Sequence, residues 1–511
     1  MTRKPWSESR RVAVFLALLA VAAVGGETVQ KEVVFQEMEV FPGRTGGYDN
    51  YRIPAVVTSN QGTLLAFCEG RHPARSDSWN IDVMMRRSTD GGKSWSNLQA
   101  LWDDGGNWCG NPGTVVDRET GTIWLLMTWS RGDDGEAAIV KGTSKDTCHV
   151  FACSSKDDGV TWSKPAEITK TAKDPDWRWY ATGPGAGIQV THGRHKGRLI
   201  IPCDHSAPHG GYESHIIYSD DHGGTWKTGG TIPNFTECEV VERTDGTLLI
   251  NMRNFDERRK TRGTATSADG GETWSKVTHD QTLIEPNCQG SVRRYTTVAK
   301  DGKSRVLFSN PASTSQRVRM TVRLSYDEGR TWPVAKLINA GGSGYSCLTV
   351  LPDRTIGLLY EKQATRGITF ARFTLDWLTD GKDALEKPGA RAGGPASKAG
   401  AEPLDYTIDR TTARKGLDGK RCFCHPRAGV IPPRAPGNPS ETPMVVITFA
   451  PHSLPPAYDV FYATNHMRSD DLGRTWDGPR EHPATMGRRK EPGGGGGRPV
   501  RSDAEMACGD G

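Results

Sequence analysis

One eight-residue motif recurs along the chain and constrains its fold more than any other feature. It reads Ser-x-Asp-x-Gly-x-Ser/Thr-Trp, and five copies follow one another at intervals of 67, 64, 48 and 58 residues. These copies begin at Ser88, Ser155, Ser219, Ser267 and Ser325. A sixth copy begins at Ser469, 144 residues after the fifth. An interval near 60 residues suits four short strands with their turns, which is one blade of a β-propeller.

The residues of this Asp box suit a hairpin turn. Strand-like runs precede the boxes, as in IDVMMRRS and SHIIYS, and a further strand is expected after each Trp. Asp accepts hydrogen bonds from turn amides, Gly adopts positive φ, and the Ser/Thr hydroxyls tie the ends together. The Trp packs between blades. We therefore predict a structural clasp and look for the chemistry in residues outside the repeat.

Composition agrees with an all-β chain. The 60 glycines and 15 tryptophans favour turns and half-buried strand faces. We predict a six-bladed β-propeller over residues 33–380, with one blade that lacks a recognisable box. A Gly/Pro-rich linker of low complexity is expected at 381–440, followed by a partial Asp-box segment and flexible tail at 441–511.

The first 26 residues have the pattern of a signal peptide. Basic residues precede an apolar run from Val12 to Val24 and then small residues. The run is shorter than the roughly 20 residues that span a bilayer. We therefore expect a secreted or extracytoplasmic protein, with an uncleaved membrane anchor as the alternative. The net charge of +5 includes +3 from this segment, and the remaining +2 is too small to predict a nucleic-acid partner.

The 11 cysteines predict no disulfide framework, because their number is odd and their spacing scattered. Cys148 and Cys153 could pair, or each could be a buried thiol. Cys422, Cys424 and His425 resemble a metal site but lack a second ligand pair, so no metal is predicted.

Several strand-like stretches carry charge. They are YRIPAVV, FCEGRHPARSDSWNID, ECEVVERTDGTLLINMRN, SQRVRMTVRLS and YSCLTVLPDRTIGLLYEK. Together with the five boxes, their order and spacing resemble the exo-α-sialidases (neuraminidases), a retaining glycoside hydrolase family of bacteria and animals. The resemblance covers residues 33–376. Unrelated propellers also use Asp boxes. The arginines and the tyrosine at matching positions are therefore what distinguishes this family from other propellers.

The resemblance implies that Arg52, Arg253 and Arg317 bind the carboxylate of sialic acid. A planar guanidinium binds a carboxylate through two hydrogen bonds and keeps its charge. Arg319 and Arg323 remain alternatives to Arg317, because strand alternation would place all three on one face.

Two further residues are implied to support the site. Glu361 matches the family carboxylate that orients Arg52. Arg71 matches an arginine that contacts the sugar near its ring substituents.

The resemblance also implies that Tyr345 is the nucleophile and Glu237 its base. The anomeric carbon of sialic acid bears a carboxylate, so a neutral phenol avoids the repulsion that an anionic nucleophile would meet. Tyr has an ordinary pKa near 10 and needs a base within hydrogen-bond reach. Glu239 and Glu242 are alternatives for this base.

Asp77 matches the family's general acid/base. It would protonate the leaving glycosidic oxygen and then activate water. Asp82 is a nearby alternative, although its place in the IDVMMR alternation favours a structural or pocket-lining role.

Aromatic and histidine residues near these stretches allow two interpretations. The segments around Asn107 and Trp177 could contact the sugar, although packing between blades explains their tryptophans better. His205 and His209 suggest a metal or a base, which this chemistry does not need.

The predicted function is a secreted exo-α-sialidase that hydrolyses terminal α-linked sialic acids of glycoproteins, glycolipids and oligosaccharides. Retention through a tyrosyl-enzyme intermediate is implied, with no cofactor and no obligatory protein partner. The alternatives are a noncatalytic sialic-acid-binding propeller and a trans-sialidase.

Overall fold

The computed structural model describes residues 35–72, 80–208, 210–256, 258–385, 421–431, 444–453, 465–469 and 477–481. The chain divides into two compact units, Met1–Arg391 and Ala392–Gly511. Strands make up most of the described regular structure, which confirms the all-β prediction.

In the described residues from 35 to 228, fifteen strands follow one another. They are β1 (Phe35–Phe41), β2 (Asn50–Thr58), β3 (Leu64–Arg71), β4 (Ile81–Ser88), β5 (Gln99–Trp102), β6 (Trp108–Val116), β7 (Ile123–Ser130), β8 (His149–Ser155), β9 (Ala166–Glu167), β10 (Tyr180–Thr182), β11 (Gly185–Ala186), β12 (Ile188–Gln189), β13 (Leu199–Ser206), β14 (Tyr212–Ser219) and β15 (Lys227–Thr228).

Eleven more strands are described in the remainder of the first unit. They are β16 (Ile232–Pro233), β17 (Phe235–Glu242), β18 (Leu248–Asn254), β19 (Thr261–Ser267), β20 (Thr278–Ile284), β21 (Ser291–Thr296), β22 (Arg305–Pro311), β23 (Val318–Ser325), β24 (Val334–Val350), β25 (Ile356–Lys362) and β26 (Gly367–Phe373). The described helices are short: α1 (Glu136–Lys141), α2 (Thr169–Ala172), α3 (Val298–Asp301), α4 (Leu375–Leu378) and the 3₁₀ turns Gly193–His195 and Gln363–Thr365.

The strands pair mainly as antiparallel meanders. One four-stranded sheet has the order β17-β18-β19-β20, and a second sheet joins β10-β13-β14-β15 with β12 and β16. In a nine-stranded sheet, β2 to β5 meet β6 to β9 through one parallel pair, Ile81 with Trp108, and the ninth strand, β11, pairs parallel with β6. In a seven-stranded sheet, the 17-residue β24 links β21–β23 to β25, β26 and β1. The number of propeller blades stays a prediction.

The first described strand pairs with the last strand that the structure describes in this unit. β1 pairs antiparallel with β26, from Phe35 opposite Phe373 to Phe41 opposite Ile368. Inner strands are buried on both faces, as shown by β6, in which all nine residues are buried.

All five regular boxes lie in turns between strands, as predicted. In the box at Ser267, the serine hydroxyl donates to Asp269 Oδ1 at 2.7 Å and accepts from the amide of Gly271 at 2.8 Å. The amide of Thr273 donates to Asp269 Oδ1 at 2.9 Å. The box tryptophans pack on other strands: the Trp162 ring meets the Phe67 ring edge-on with centroids 5.7 Å apart.

The residues described in the second unit form one antiparallel sheet in the order β27 (Arg421–Ile431), β28 (Met444–Ser453), β29 (Asn465–Ser469) and β30 (Asp477–Glu481). β27 lies inside the segment 381–440, which was predicted as a linker. Its residues, RCFCHPRAGVI, pair with the apolar strand β28. β29 ends at Ser469, the first residue of the sixth box, and β30 begins directly after the box.

Some predictions fall outside the described residues, among them the signal peptide at 1–26 and the tail beyond 481. Within the described part of the chain, no helix is long and apolar enough to cross a membrane. Cys148 and Cys153 are two of eight described cysteines that are buried free thiols. The alternative of a disulfide between them is therefore wrong.

Candidate active site

Tyr345, Glu237 and Arg253 form one hydrogen-bonded cluster. The Tyr345 hydroxyl donates to Glu237 Oε1. Arg253 Nη1 donates to both Glu237 carboxylate oxygens at 2.8 Å and to Tyr345 Oη at 3.0 Å. The Thr236 hydroxyl donates to Glu237 Oε2 at 3.0 Å. The structure thus brings together the predicted nucleophile, its predicted base and one predicted carboxylate-binding arginine.

Burial and charge set the protonation states of this cluster. Burial would raise the pKa of Glu237, but the charge of Arg253 and hydrogen bonds from Tyr345 and Thr236 lower this pKa to about 2. Burial and the negative charge of Glu237 raise the pKa of Tyr345 above its ordinary value. Near neutral pH the carboxyl is therefore ionised and the phenol neutral, as a base and its proton donor require.

Irregular strand pairing accompanies the site residues. The ladder is interrupted in β2 directly after Arg52, in β17 around Glu237 and in β24 around Tyr345. Such irregularities re-aim side chains away from strict alternation. Strand periodicity alone could not have located these positions.

Two more arginines flank the tyrosine. The guanidinium carbons of Arg52 and Arg317 each lie 5.4 Å from the centroid of the Tyr345 ring. Both residues line a cavity of about 310 Å³. With Arg253 at the hydroxyl, three guanidinium groups converge on one phenol ring, an arrangement that can bind a carboxylate next to it.

Glu361 connects the two sides of the site. Its Oε1 accepts from Arg52 Nε at 3.2 Å and from the amide of Ile53 at 3.0 Å, and its Oε2 accepts from the amide of Tyr345 at 3.2 Å. Ile53 has φ 61°, a conformation that is unfavourable for a β-branched residue. Glu361 therefore holds Arg52 and stabilises a strained backbone at the start of β2.

Asn287 positions two of the arginines and was not predicted. Its Oδ1 accepts from Arg253 Nε at 2.7 Å, and its main-chain oxygen accepts from Arg317 Nη2 at 3.1 Å. Asn287 lies in the loop between β20 and β21, where a single asparagine resembles any turn residue.

Asp204 was also missed. It lies on β13 and is 3% exposed, and its Oδ1 is buried without a hydrogen-bond partner. Burial and the charge of Glu237 raise the pKa of the Asp204 carboxyl well above its ordinary value. A single aspartate in LIIPCDHS gives no sequence signal for this position.

Arg71 ends β3 beside a buried carboxylate. Its Nη2 and Nε donate to Glu69 Oε2 at 2.6 and 2.9 Å, while Glu69 Oε1 accepts from the amide of Asn111 at 2.9 Å. Arg71 is therefore held in a fixed orientation.

The predicted acid/base Asp77 lies outside the described residues. Its alternative, Asp82, is fully buried and accepts from the Tyr48 hydroxyl at 2.7 Å, and its Oδ2 lies 3.1 Å from His72 Nε2. These contacts favour the structural role that the alternation predicted for Asp82.

The other two candidates for the base lie elsewhere. Glu239 is buried and accepts from the Ser291 hydroxyl at 2.8 Å and from the amide of Val292 at 2.9 Å. Glu242 accepts from the amides of Thr191 and His192 at 2.8 Å. Among the three glutamates, Glu237 is the one hydrogen-bonded to Tyr345.

The prediction that Arg317, Arg319 and Arg323 share one face is wrong. Arg319 has φ 63°, and the pairing of β23 with β24 shifts register on both sides of Met320. A residue in the left-handed region breaks strand alternation. Arg319 is exposed, whereas Arg317 lines the cavity.

Aromatic packing accounts for the segments around Asn107 and Trp177. The Trp108 and Trp179 rings stack with centroids 5.0 Å apart, and the Trp177 ring stacks on buried His205. His209 lies outside the described residues.

In the part of the chain that the structure describes, no group of three or more His, Cys, Asp or Glu side chains could hold a metal ion. The side chains of Cys422, Cys424 and His425 are not among those described.

Comparison with known proteins identifies the relatives of this chain. Residues 62–360 match the model of the BNR repeat-like domain. A sialidase from Micromonospora viridifaciens is 35% identical over 406 residues, which cover 74% of this chain and 62% of that protein. An exo-alpha-sialidase from Aspergillus fumigatus is 33% identical, with coverage of 66% of this chain and 86% of the fungal protein. The chain spans about three fifths of the length of the Micromonospora protein.

A solved structure gives the same result. The Hadza microbial sialidase Hz136 is 36% identical and superimposes with a TM-score of 0.60, covering 65% of this chain and 67% of that chain. The predicted resemblance is confirmed by the family model and by relatives that cover most of the chain. The chain therefore belongs to the sialidase family.

Proposed function

We propose that this protein is an exo-α-sialidase that hydrolyses terminal α-linked sialic acids of glycans, with retention through a tyrosyl-enzyme intermediate. The observation that carries the proposal is the hydrogen-bonded set of Tyr345, Glu237 and Arg253 beside two further arginines. A binding protein for sialic acid would need the arginines but not a base hydrogen-bonded to a neutral phenol.

Substrate binding begins with the carboxylate. Arg52, Arg253 and Arg317 would hold it, because guanidinium groups match carboxylate geometry and stay charged at any working pH. Glu361 and Asn287 fix the orientation of these arginines. A carboxylate held against the Tyr345 ring would bring the adjacent anomeric carbon next to the hydroxyl.

In the first step, Tyr345 Oη attacks the anomeric carbon while Glu237 takes the phenolic proton. The bond from that carbon to the glycosidic oxygen breaks, and the leaving oxygen receives a proton from Asp77, the role that the family resemblance implies. Tyr345 cannot ionise alone near neutral pH, so transfer of its proton to Glu237 accompanies the attack.

In the second step, water attacks the same carbon from the face that the aglycone has left. Asp77 takes a proton from the water, the bond to Tyr345 Oη breaks, and Glu237 returns its proton to the phenolate. Two displacements at one carbon retain its configuration.

We also propose six four-stranded blades around this site. Five are β2–β5, β6–β9, β13–β15 with β10, β17–β20, and β21–β23 with the first half of β24. The sixth combines the second half of β24 with β25, β26 and β1. The pairing of β1 with β26 supports closure of the ring by the two ends of the domain.

Export remains a proposal that depends on residues 1–26. A direct test is to express the chain with its own N terminus and sequence the mature protein. Cleavage near residue 26 is expected, and an intact N terminus in the cell fraction would contradict export.

The enzyme proposal is tested by incubating the full chain with a fluorogenic α-sialoside. Release of the fluorophore is expected, with α-configured free sialic acid as the first product by NMR. Initial release of the β-anomer would contradict retention, and transfer to added lactose in place of hydrolysis would indicate a trans-sialidase.

Two arginines on neighbouring positions provide a matched comparison. Arg317→Lys should raise KM by about tenfold or more, since it loses the two-point contact with the carboxylate. Arg319→Lys replaces an exposed arginine two residues away and should leave kcat and KM unchanged. Equal effects of both substitutions would contradict the assignment of Arg317.

A further inference from the structure

A second cleft lies outside the arginine and tyrosine site. It has a volume of about 430 Å³. Its lining residues are Trp102, Asp104, Trp129, Asp146, His149, Phe151 and Glu167. The volume falls in the range of small-ligand sites, and the lining combines apolar walls with a few polar groups, as such sites do.

Three half-buried aromatic side chains form the walls. The Trp102 and Phe151 rings lie with centroids 4.6 Å apart and planes inclined by 56°, so they form a corner. The Trp129 ring meets His149 edge-on at 5.5 Å, and its Nε1 donates to Asp104 Oδ2 at 2.7 Å. These contacts fix the aromatic surfaces, so little side-chain conformational entropy would be lost when a ligand stacks on them.

Hydrogen-bond acceptors surround the aromatic walls. Glu167 Oε1 lies 2.8 Å from His149 Nδ1, and Asp146 Oδ1 lies 3.2 Å from His149 Nε2. Hydrogen bonding with His149 lowers the pKa of Glu167, so this carboxylate is ionised near neutral pH. Each carboxylate is oriented by a protein donor and keeps further lone pairs for ligand hydroxyls.

The charge of the cleft restricts its ligand. Three carboxylates against one histidine disfavour an anion such as sialic acid. A neutral pyranose fits both features, because its C–H faces pack on aromatic rings and its hydroxyls donate to carboxylates.

The cleft opens at the same end of the strands as the active site. Successive cross-strand pairs connect the active site to the cleft. Asn50 at the start of β2 pairs with Arg71 at the end of β3, and Arg71 pairs with Ile81. Ile81 pairs with Trp108, which in turn pairs with Ser130. Trp129, next to Ser130, pairs with His149. A glycan whose terminal sugar occupies the active site would extend over this end of the molecule.

We propose that this cleft binds a neutral pyranose, such as a galactose residue of an underlying or neighbouring glycan branch. The cleft is a binding site separate from the hydrolytic one. The link to extended substrates rests on the proposed sialidase function, but sugar binding itself does not.

The binding test uses lactose as the probe, titrated into the full chain and followed by calorimetry. Trp129→Ala should weaken lactose binding about tenfold, the loss expected for one aromatic contact. Trp129→Phe should retain most of the affinity, because it keeps an aromatic surface. If Trp129→Ala unfolds, Glu167→Gln replaces it as the variant that should lose affinity. Glu167→Gln should weaken binding, with exposed Glu119→Gln as its matched control.

Two further measurements distinguish sugar binding in the cleft from the proposed sialidase activity. Arg317→Lys should bind lactose as the wild type does, even though its hydrolysis is impaired. Trp129→Ala should raise KM for a sialylated biantennary glycopeptide and leave KM for the small fluorogenic sialoside unchanged. Lactose binding without hydrolysis would leave the cleft proposal intact.

Three results would overturn the cleft proposal. They are the absence of lactose binding, lactose binding that Trp129→Ala and Glu167→Gln do not affect, and displacement of lactose by choline. The last result would identify the cleft as a site for an organic cation, which aromatic walls and carboxylates can also bind.

Discussion

At the scale of single residues, the site depends on a tyrosine that resists ionisation. Burial and the charge of Glu237 raise the pKa of Tyr345, while the charge of Arg253, which donates to the same hydroxyl, counteracts this shift. In the proposed mechanism, the ionised Glu237 accepts the proton of this neutral phenol during the attack. Arg253 contacts both partners of that proposed proton transfer.

Tyr345→Phe should remove most turnover while sialic acid binding persists. The substitution deletes the nucleophilic oxygen but leaves Arg52, Arg253 and Arg317 in place. We expect kcat to fall by about 10³-fold or more, with the affinity for a sialic acid analogue changed by less than about tenfold. Turnover by steady-state assay and binding by calorimetry check this, and undiminished turnover would assign the nucleophile elsewhere.

Sequence reasoning reached the residues whose chemistry is distinctive. Arg52, Tyr345 and Glu237 could be identified because a charged or nucleophilic residue stands out in a strand-like stretch and matches a known order of motifs. Asn287 and Asp204 could not, because the hydrogen bond of Asn287 and the electrostatic interaction of Asp204 each involve a residue more than 30 positions away, and their types are ordinary in loops and strands.

At the scale of elements, Asp boxes and strand bulges differ in how far they can be predicted from the sequence. Boxes occur where regular strands must turn, and their hydrogen bonds are local, so a sequence motif predicts them. Bulges in β2, β17 and β24 depend on pairing with distant strands. The wrong alternation for Arg319 follows from this difference, since nothing within SQRVRMTVRLS marks its positive φ.

Asp269→Ala should lower stability without altering chemistry. Asp269 accepts from the amide of Thr273 at 2.9 Å and from its hydroxyl at 2.5 Å, and the substitution leaves these donors without their partner. We expect a loss of about 1–2 kcal/mol in the free energy of unfolding. Asp269→Asn, which keeps one acceptor, should lose less. Unchanged melting with a large loss of turnover would contradict a structural role.

Glu239 should make stability depend on pH. Burial raises the pKa of this carboxyl from 4.5 to about 7, so between these values the folded state binds more protons than the unfolded state. Stability should therefore fall as pH rises through this window, by roughly 3 kcal/mol at most from this group. Thermal melting from pH 4.5 to pH 8 should show a smaller decline in Glu239→Gln than in the wild type. An identical decline would exclude Glu239 as its source.

At the scale of the whole molecule, contacts join the two ends of the described part of the first unit. β1 pairs with β26, and the Phe35 ring stacks on Trp377 with centroids 4.6 Å apart. Beyond α4, Asp383 accepts from Arg305 Nη2 at 2.7 Å and Nε at 2.8 Å, and both side chains are less than 8% exposed. The sequence predicted the end of the domain near residue 380, but the contact between Asp383 and Arg305 spans 78 residues and leaves no local pattern.

Two truncations test whether the first unit folds without the second. A chain that ends at Leu385 keeps Trp377 and Asp383 and should retain the melting temperature and sialidase turnover of the first unit. A chain that ends at Thr374 loses both and leaves Arg305 as a buried charge without its partner, which should cost about 3–5 kcal/mol. Differential scanning calorimetry and the fluorogenic assay check both chains. Unfolding of the longer truncation would mean that the sheet of β27 to β30, with its box after Ser469, is required to complete the fold.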